Sequence, residues 1–205
     1  MKIMFDVGCN SGNNSDYYVH NNYQVFAFEP TPKLCDDLRS RFKNNCNFFL
    51  IEKAISNKEG KMKFNIVGQS DWGCSSLLNF IPDTTLFWGS KEHFNATVTE
   101  SIDIDVIRLD SFIKMLNIKT IDYFHCDIQG LDLSALESLG TYISIVKEGQ
   151  IEVANKRNVL YENSNNYIED VINFLEKNNF IIKNIVSNDI RNNESNLQFI
   201  NKNLI

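Results

Sequence analysis

With 205 residues, 43% of them hydrophobic and 22% charged, the chain can bury one substantial core and has ordinary globular composition, which excludes a disordered protein. The net charge of −6 argues against a partner made chiefly of phosphate backbone, and no stretch approaches the about 18 continuous apolar residues of a membrane span. The five cysteines (Cys9, Cys35, Cys46, Cys74 and Cys126) are odd in number and lack C-x-x-C spacing, so reduced thiols are expected rather than a disulfide framework or a zinc ribbon; with no leader-like start, the expectation is a soluble, cytoplasmic, single domain over residues 1–205.

In chain order, Ile3 to Val7 reads as a first buried strand, running into the turn Gly8-Cys9-Asn10-Ser11-Gly12. Val25 to Phe28 reads as a second strand. A helix follows, with Thr31 as cap, Pro32 in its first turn, and Leu34, Cys35, Leu38 and Phe42 on one apolar face. Phe48 to Ile51 is the third strand, and Asn57-Lys58-Glu59-Gly60 is a turn whose neighbours Lys53, Lys61 and Lys63 read as solvated. Residues from about Gly68 to Thr97 have no clear period and read as an irregular excursion, after which Val98 to Val106 alternates as a half-exposed strand would. Ile121 to Ile128 and Ile143 to Val153 are further buried strands, separated by a helix that holds Leu133, Leu136 and Leu139. The Asn-rich piece from Asn155 to Asn166 reads as a surface loop facing substrate, before a helix through Ile168, Val171, Ile172 and Leu175 and strands at Phe180 to Val186 and Leu197 to Ile200. Apolar strands alternating with helices are the pattern of an α/β fold with a mostly parallel sheet covered on both faces.

Two features carry chemistry. The first strand holds Asp6 and ends in glycines four apart, Gly8 and Gly12, with Cys9 and Asn10 between; close approach of a ligand to such a turn favours glycine, although packing alone can also require it. This is not the G-x-G-x-x-G of a dinucleotide fingerprint. About twenty residues on, the second strand ends in Glu29-Pro30, where a doubly wound fold presents an acid to ribose hydroxyls. Glu29 capping its own strand end is the plainer alternative.

Taken in order, these residues resemble the FkbM-type methyltransferases. The family's Asp-x-Gly-Ala-Asn-x-Gly is similar to Asp6 to Gly12, its Phe-Glu-Pro to Phe28-Glu29-Pro30, and its Ala with a following Gly to Ala54 to Gly60. Its Ser-Ser-Leu matches Ser75-Ser76-Leu77, its Leu-Asp matches Leu109-Asp110, its Lys-Ile-Asp-x-x-Gly-x-Glu is similar to His125 to Asp132, and its late Ile-Glu-Val stands at Ile151-Glu152-Val153. The resemblance implies a seven-stranded Rossmann-like class I methyltransferase fold, an S-adenosylmethionine cofactor over Asp6, Gly8, Cys9, Asn10, Gly12, Glu29, Pro30, Ala54, Ile55 and Asp127, and methyl transfer to a hydroxyl of a sugar, glycan or small metabolite. His125 in place of lysine and Asp132 in place of glutamate depart from the family pattern.

Asp127 stands where the fourth long strand meets the crevice, and it is the first candidate to orient or deprotonate an acceptor, with capping of the next helix as its alternative role. His125 lies two residues deeper on the same face, a catalytic base or a satisfied buried histidine, and Glu152 is a further candidate for the acceptor. Trp72, Trp88, Ser75, Ser76 and His93, in the irregular excursion, are candidates for substrate contact, while the acids fix no metal set. An NAD(P)-type oxidoreductase and a cofactor-binding scaffold without catalysis are the competing readings; neither nucleic acid nor membrane is an expected partner.

Overall fold

The computed structural model describes residues 1–68, 72–81, 97–157, 160–188 and 193–204. Its elements in chain order are β1 (Lys2–Val7), α1 (Asn13–His20), β2 (Tyr23–Phe28), α2 (Pro32–Arg41), β3 (Phe48–Ile51), β4 (Ala54–Ile55), β5 (Gly60–Ile66), β6 (Glu100–Ile107), α3 (Leu109–Leu116), β7 (Ile121–Cys126), α4 (Asp132–Ser138), β8 (Val146–Ala154), α5 (Ile168–Lys177), β9 (Phe180–Ser187) and β10 (Glu194–Asn201). Successive residues of a strand point to opposite faces, and in β1 both Met4 and Phe5 are fully buried, so the sheet is covered on both sides.

The main sheet has seven strands in the order β3-β2-β1-β7-β8-β10-β9. Its first five strands pair parallel, and β10 runs antiparallel to both β8 and β9. On one face Met4, Val25, Ala27, Leu38 and Phe42 pack together with Val19 of α1. On the other, Phe5, Phe26 and Phe28 surround Phe112 of α3, with ring centroids 5.1 to 5.9 Å from it in edge-on arrangements. Each such buried ring contributes about 1.5–3 kcal/mol of burial, which holds the carboxyl ends of β1 and β2 in fixed register. The chain enters β2 next to β1 and later returns as β7 on the other side of β1, so the strand order reverses there. Open α/β sheets bind ligands at that switch point.

Several boundaries differ from the sequence reading for local reasons. The expected strand Ile121 to Ile128 stops at Cys126: the Asp127 amide still donates to Val7 O (2.9 Å), and the chain then turns through the positive-φ pair Gln129 and Gly130. The strand expected from Ile143 begins only at Val146, because Gly140–Ile145 is a 3-10 turn. The alternating segment is β6, which stays out of the main sheet and forms a three-stranded sheet in the order β4-β6-β5. Thr31 does precede α2, but its hydroxyl makes no cap bond, and its amide donates to Glu29. The Asn-rich segment is no plain surface loop, since Leu160, Tyr161 and Asn166 are all buried. Among the described residues no helix is long and apolar enough to cross a membrane.

Candidate functional site

The carboxyl ends of β1, β2 and β7 open onto a cavity of about 410 Å³. Val7, Gly8 and Asn10 form one part of its wall, Phe28 to Thr31 a second, Lys53 to Ile55 a third, and Asp127 to Gln129 a fourth; Phe64, Trp72 to Ser75, Leu77, Leu131 and Glu194 complete it.

The turn after β1 is stitched to the end of β2. The amides of Gly8 and Cys9 both donate to Phe28 O (3.0 and 3.1 Å), and the Gly12 amide donates to Cys9 O (2.8 Å). Asn10 takes a left-handed φ of 48°, which asparagine tolerates better than most residues, and its amide donates to Glu29 Oε2 (3.0 Å). Glu29 Oε1 accepts the Thr31 amide (2.8 Å). Burial pushes the Glu29 carboxyl up from its ordinary value, and the hydrogen bonds from Thr31 and Asn10 partly offset that. The result is an acid held rigidly at the strand end, in the wall of the cavity.

The two glycines act differently from a ligand-clearance role. A Cβ on Gly8 would stand 2.0 Å from the Asp127 carbonyl oxygen, so this glycine lets the ends of β1 and β7 close on each other. Gly12 stands outside the cavity lining; at φ +80° it begins α1, and a Cβ there would meet Leu38 Cδ2 at 2.6 Å. Its need is packing against α2.

Asp6 and His125 also turn away from the cavity. Asp6 is fully buried, its Oδ2 accepting from Ser15 Oγ (2.6 Å) and its Oδ1 facing His125 Nδ1 (2.9 Å). Asn14 Nδ2 lies 3.1 Å from His125 Nε2, so the neutral ring with hydrogen on Nδ1 satisfies both neighbours. Burial alone would lower the His125 value, but the Asp6 carboxylate outweighs it and the imidazole is raised. His125 is thus the satisfied buried histidine of the two sequence alternatives, tying β7 to β1 and α1. Cys9 is buried against Met4 and Leu38.

Asp127, by contrast, faces the cavity. It does not cap α4, because Asp132 organises that turn: Asp132 accepts the amides of Ile128 (2.9 Å) and Gly130 (3.3 Å) and Nδ2 of Asn166 (2.9 Å). Full burial, together with the Asp127 charge, raises Asp132 to about 7. Gln129, which the sequence reading passed over, is the hub of the turn. Its Nε2 donates to Asp127 Oδ1 (2.8 Å) and Glu152 Oε2 (3.0 Å), and its Oε1 accepts from Tyr161 Oη (2.6 Å). Glu152 stands behind this hub rather than in the cavity, with Oε1 accepting from Asn188 Nδ2 (2.8 Å). Burial, then the charges of Asp127 and Glu194, drive its carboxyl well above the usual range.

Of the remaining candidates, Pro30, Ala54, Ile55, Trp72 and Ser75 line the cavity. Ser76 does not; its Oγ donates to Gln129 O (2.7 Å) and so braces the hub. Trp88 and His93 lie outside the described residues. Thr31, Lys53 and Glu194 join the wall without having been expected in the site. Lys53 had been grouped with a solvated turn, and Glu194 opens the antiparallel β10, where no motif marks it.

The seven-stranded sheet, parallel but for β10 and with its cavity at the switch point, has the class I S-adenosylmethionine-dependent methyltransferase fold. The chain belongs to the FkbM methyltransferase family, whose methyltransferase domain matches residues 6–182. It is similar to the 2-O-methyltransferase NoeI of Sinorhizobium fredii, with 26% identity over 136 residues, which are 63% of this chain and 54% of that protein. The match thus spans about half the length of that relative. Among solved structures, an rRNA methylase from Streptococcus thermophilus aligns with a TM-score of 0.54 at 11% identity, covering 98% of this chain and 86% of that one. TrmK of M. capricolum, in complex with S-adenosyl-homocysteine, aligns with a TM-score of 0.53 at 15% identity, covering 98% and 62%. At such identities it is the fold that is shared.

Proposed function

We propose that this chain transfers a methyl group from S-adenosylmethionine to a hydroxyl of a sugar, glycan or small metabolite. The observation that carries the reading is that Glu29 and Asp127, from the ends of two strands flanking β1, line one cavity at the switch point. The donor set suits the cofactor. Glu29, fixed by the Asn10 and Thr31 amides in the cavity wall, is placed to accept from a ribose hydroxyl, and Phe28, Ala54, Ile55 and Leu77 offer an apolar wall for the adenine. When bound, S-adenosylmethionine supplies an electrophilic methyl group on a sulfonium.

An alcohol is a weak nucleophile until its proton begins to leave. Asp127, held by Gln129 through Oδ1, is the group in the cavity wall placed to accept that proton, a contribution of roughly 10²–10⁴-fold in rate. Glu152, bonded to Gln129 and to Asp127 from behind the cavity wall, positions this pair instead of touching the acceptor. The oxygen acceptor is supported by the 2-O-methyltransferase relative. The net charge of −6 favours a small or glycan acceptor over nucleic acid, although some structural neighbours are RNA methylases.

Thermal shift with S-adenosylmethionine, S-adenosylhomocysteine, NAD and NADP tests the cofactor. A ligand at about 100 times its Kd adds about 2.7 kcal/mol of stability, a readily visible rise in Tm. Stabilisation by NAD or NADP alone refutes the reading in favour of an oxidoreductase. Binding of S-adenosylhomocysteine with no methyl transfer to any of a broad panel of glycans and hydroxylated metabolites favours the scaffold.

A further inference from the structure

Glu152, in β8, is 4% exposed, and its carboxyl group is enclosed by polar partners from other parts of the chain. Oε1 accepts from Asn188 Nδ2 (2.8 Å) and Oε2 from Gln129 Nε2 (3.0 Å), and the group also makes a hydrogen bond with the Asp127 carboxyl. Gln129 Nε2 reaches Asp127 Oδ1 as well, at 2.8 Å, so one amide nitrogen clamps both acids. Tyr161 fixes the clamp: its hydroxyl donates to Gln129 Oε1 (2.6 Å), which leaves the NH₂ end for the two carboxyl groups.

The contact between the two acids decides how many protons they hold. An ionised carboxylate only accepts, so a hydrogen bond between two carboxyl groups exists only where one of them carries a proton. Burial decides which. Asp127 is half-buried in the cavity wall, whereas Glu152 lies behind that wall, where a bare charge is more costly. The groups on the surrounding elements act in the same direction. Asp127 after β7, Asp132 at the start of α4 and Glu194 at the start of β10 all bear on Glu152 with negative charge, and together with burial they drive its carboxyl upward. Glu194 lines the large cavity and also a smaller one of about 150 Å³ beside the turn after β7. Deeper on β7, His125 is engaged by Asp6. The Tyr161 hydroxyl and the Cys126 thiol are both pushed well above their ordinary values by burial and stay neutral.

Building on the methyl-transfer reading, we propose that Asp127 and Glu152 form one proton-sharing pair, in which Glu152 holds the proton and donates a hydrogen bond to Asp127 while Asp127 presents the charge to the cavity. Glu152 is then a positioning residue, and its O–H and the Gln129 N–H hold Asp127 from two directions. Closely placed carboxyl groups do not both ionise, which is how such pairs come to share one proton. A pair in this state carries one negative charge, equal and opposite to the single positive charge of a sulfonium. Two ionised acids would carry twice that.

The test is carbon-detected NMR of the side-chain carboxyl groups in isotope-labelled protein, followed as a function of pH. The Glu152 resonance is assigned by its loss in Glu152→Gln or, if that variant does not fold, through bonds in the wild type. At neutral pH the Glu152 carbon is expected at the neutral-carboxyl position while exposed glutamates, with an ordinary value of about 4.3, stand at the carboxylate position. Asp127→Asn removes the charged partner and is expected to move the Glu152 titration to lower pH. A Glu152 carbon at the carboxylate position in neutral solution, or a titration that does not move in folded Asp127→Asn, overturns the proposal. Titration of S-adenosylhomocysteine into the same samples separates the two readings. A neutral Glu152 in a protein that does not bind S-adenosylhomocysteine refutes the methyl-transfer reading alone, and binding with an ionised Glu152 refutes the pair alone.

Discussion

Replacing Glu29 by glutamine tests the cofactor site more sharply than removing the side chain, because the size is kept and only one acceptor oxygen is lost. In the native site Oε1 takes the Thr31 amide at 2.8 Å and Oε2 takes the Asn10 amide at 3.0 Å. Glutamine satisfies one of these and turns an NH₂ toward the other, leaving a donor facing a donor. The stranded amide costs about 1–3 kcal/mol of stability. Separately, a ribose hydroxyl loses a charged acceptor, worth about 1.5–3 kcal/mol, so the Kd for S-adenosylhomocysteine rises by roughly 10- to 150-fold. Isothermal titration measures the second effect and urea denaturation the first. A variant that is folded, destabilised as expected and unchanged in Kd would falsify the ribose assignment and leave Glu29 as a pure strand-end brace.

The other expectations concern catalysis, linkage and packing. Asp127→Asn lowers kcat by about 10²–10⁴-fold with a competent acceptor and leaves S-adenosylhomocysteine binding within about tenfold; a kcat near wild type assigns the proton to another group. His125 is raised above its ordinary value of about 6.5 by Asp6, so its contribution to stability is fully present below that pH and is lost as pH rises through the folded value. Urea midpoints from about pH 6 to about pH 9 should therefore decline in wild type more than in His125→Gln, and parallel curves contradict the linkage. Gly8→Ala forces an L-residue to φ +80° and sets its Cβ 2.0 Å from the Asp127 carbonyl. Left-handed strain of about 1–2 kcal/mol and overpacking of about 1–3 kcal/mol together lower Tm by at least about 5 °C, so an unchanged Tm means that β1 and β7 part freely.

Local chemistry made part of the site legible. Apolar runs and helical spacing depend only on near neighbours, and they marked β1, β2, β3, α2 and α5 at or near their observed places. The strand-end position of Glu29 is likewise a local fact, and the fold carries it to the cavity wall. What the sequence left open or misplaced depends on which distant segments meet. Gly12 was open to ligand clearance or to packing, and its tight contacts are Leu38 and Phe42, which only the packing of α2 brings there. Asp6 was placed with the cofactor, yet it is consumed by Ser15 and by His125, 119 residues away along the chain.

The sequence by itself determined the alternation of strands and helices, the turn after β1 and the acids at the ends of β2 and β7, because those follow from residue type and short-range spacing. Only the tertiary structure decided that β7 lies against β1 and that β10 returns antiparallel beside β8, since strand neighbours are set by how the whole apolar surface is buried and not by any one segment. From that order follow the retirement of His125 into a buried pair, the bridging of Asp127 and Glu152 by Gln129, and the arrival of Glu194 in the wall of both cavities. Each joins side chains from strands or turns far apart in the chain, and side-chain geometry across strands exists only once their register does.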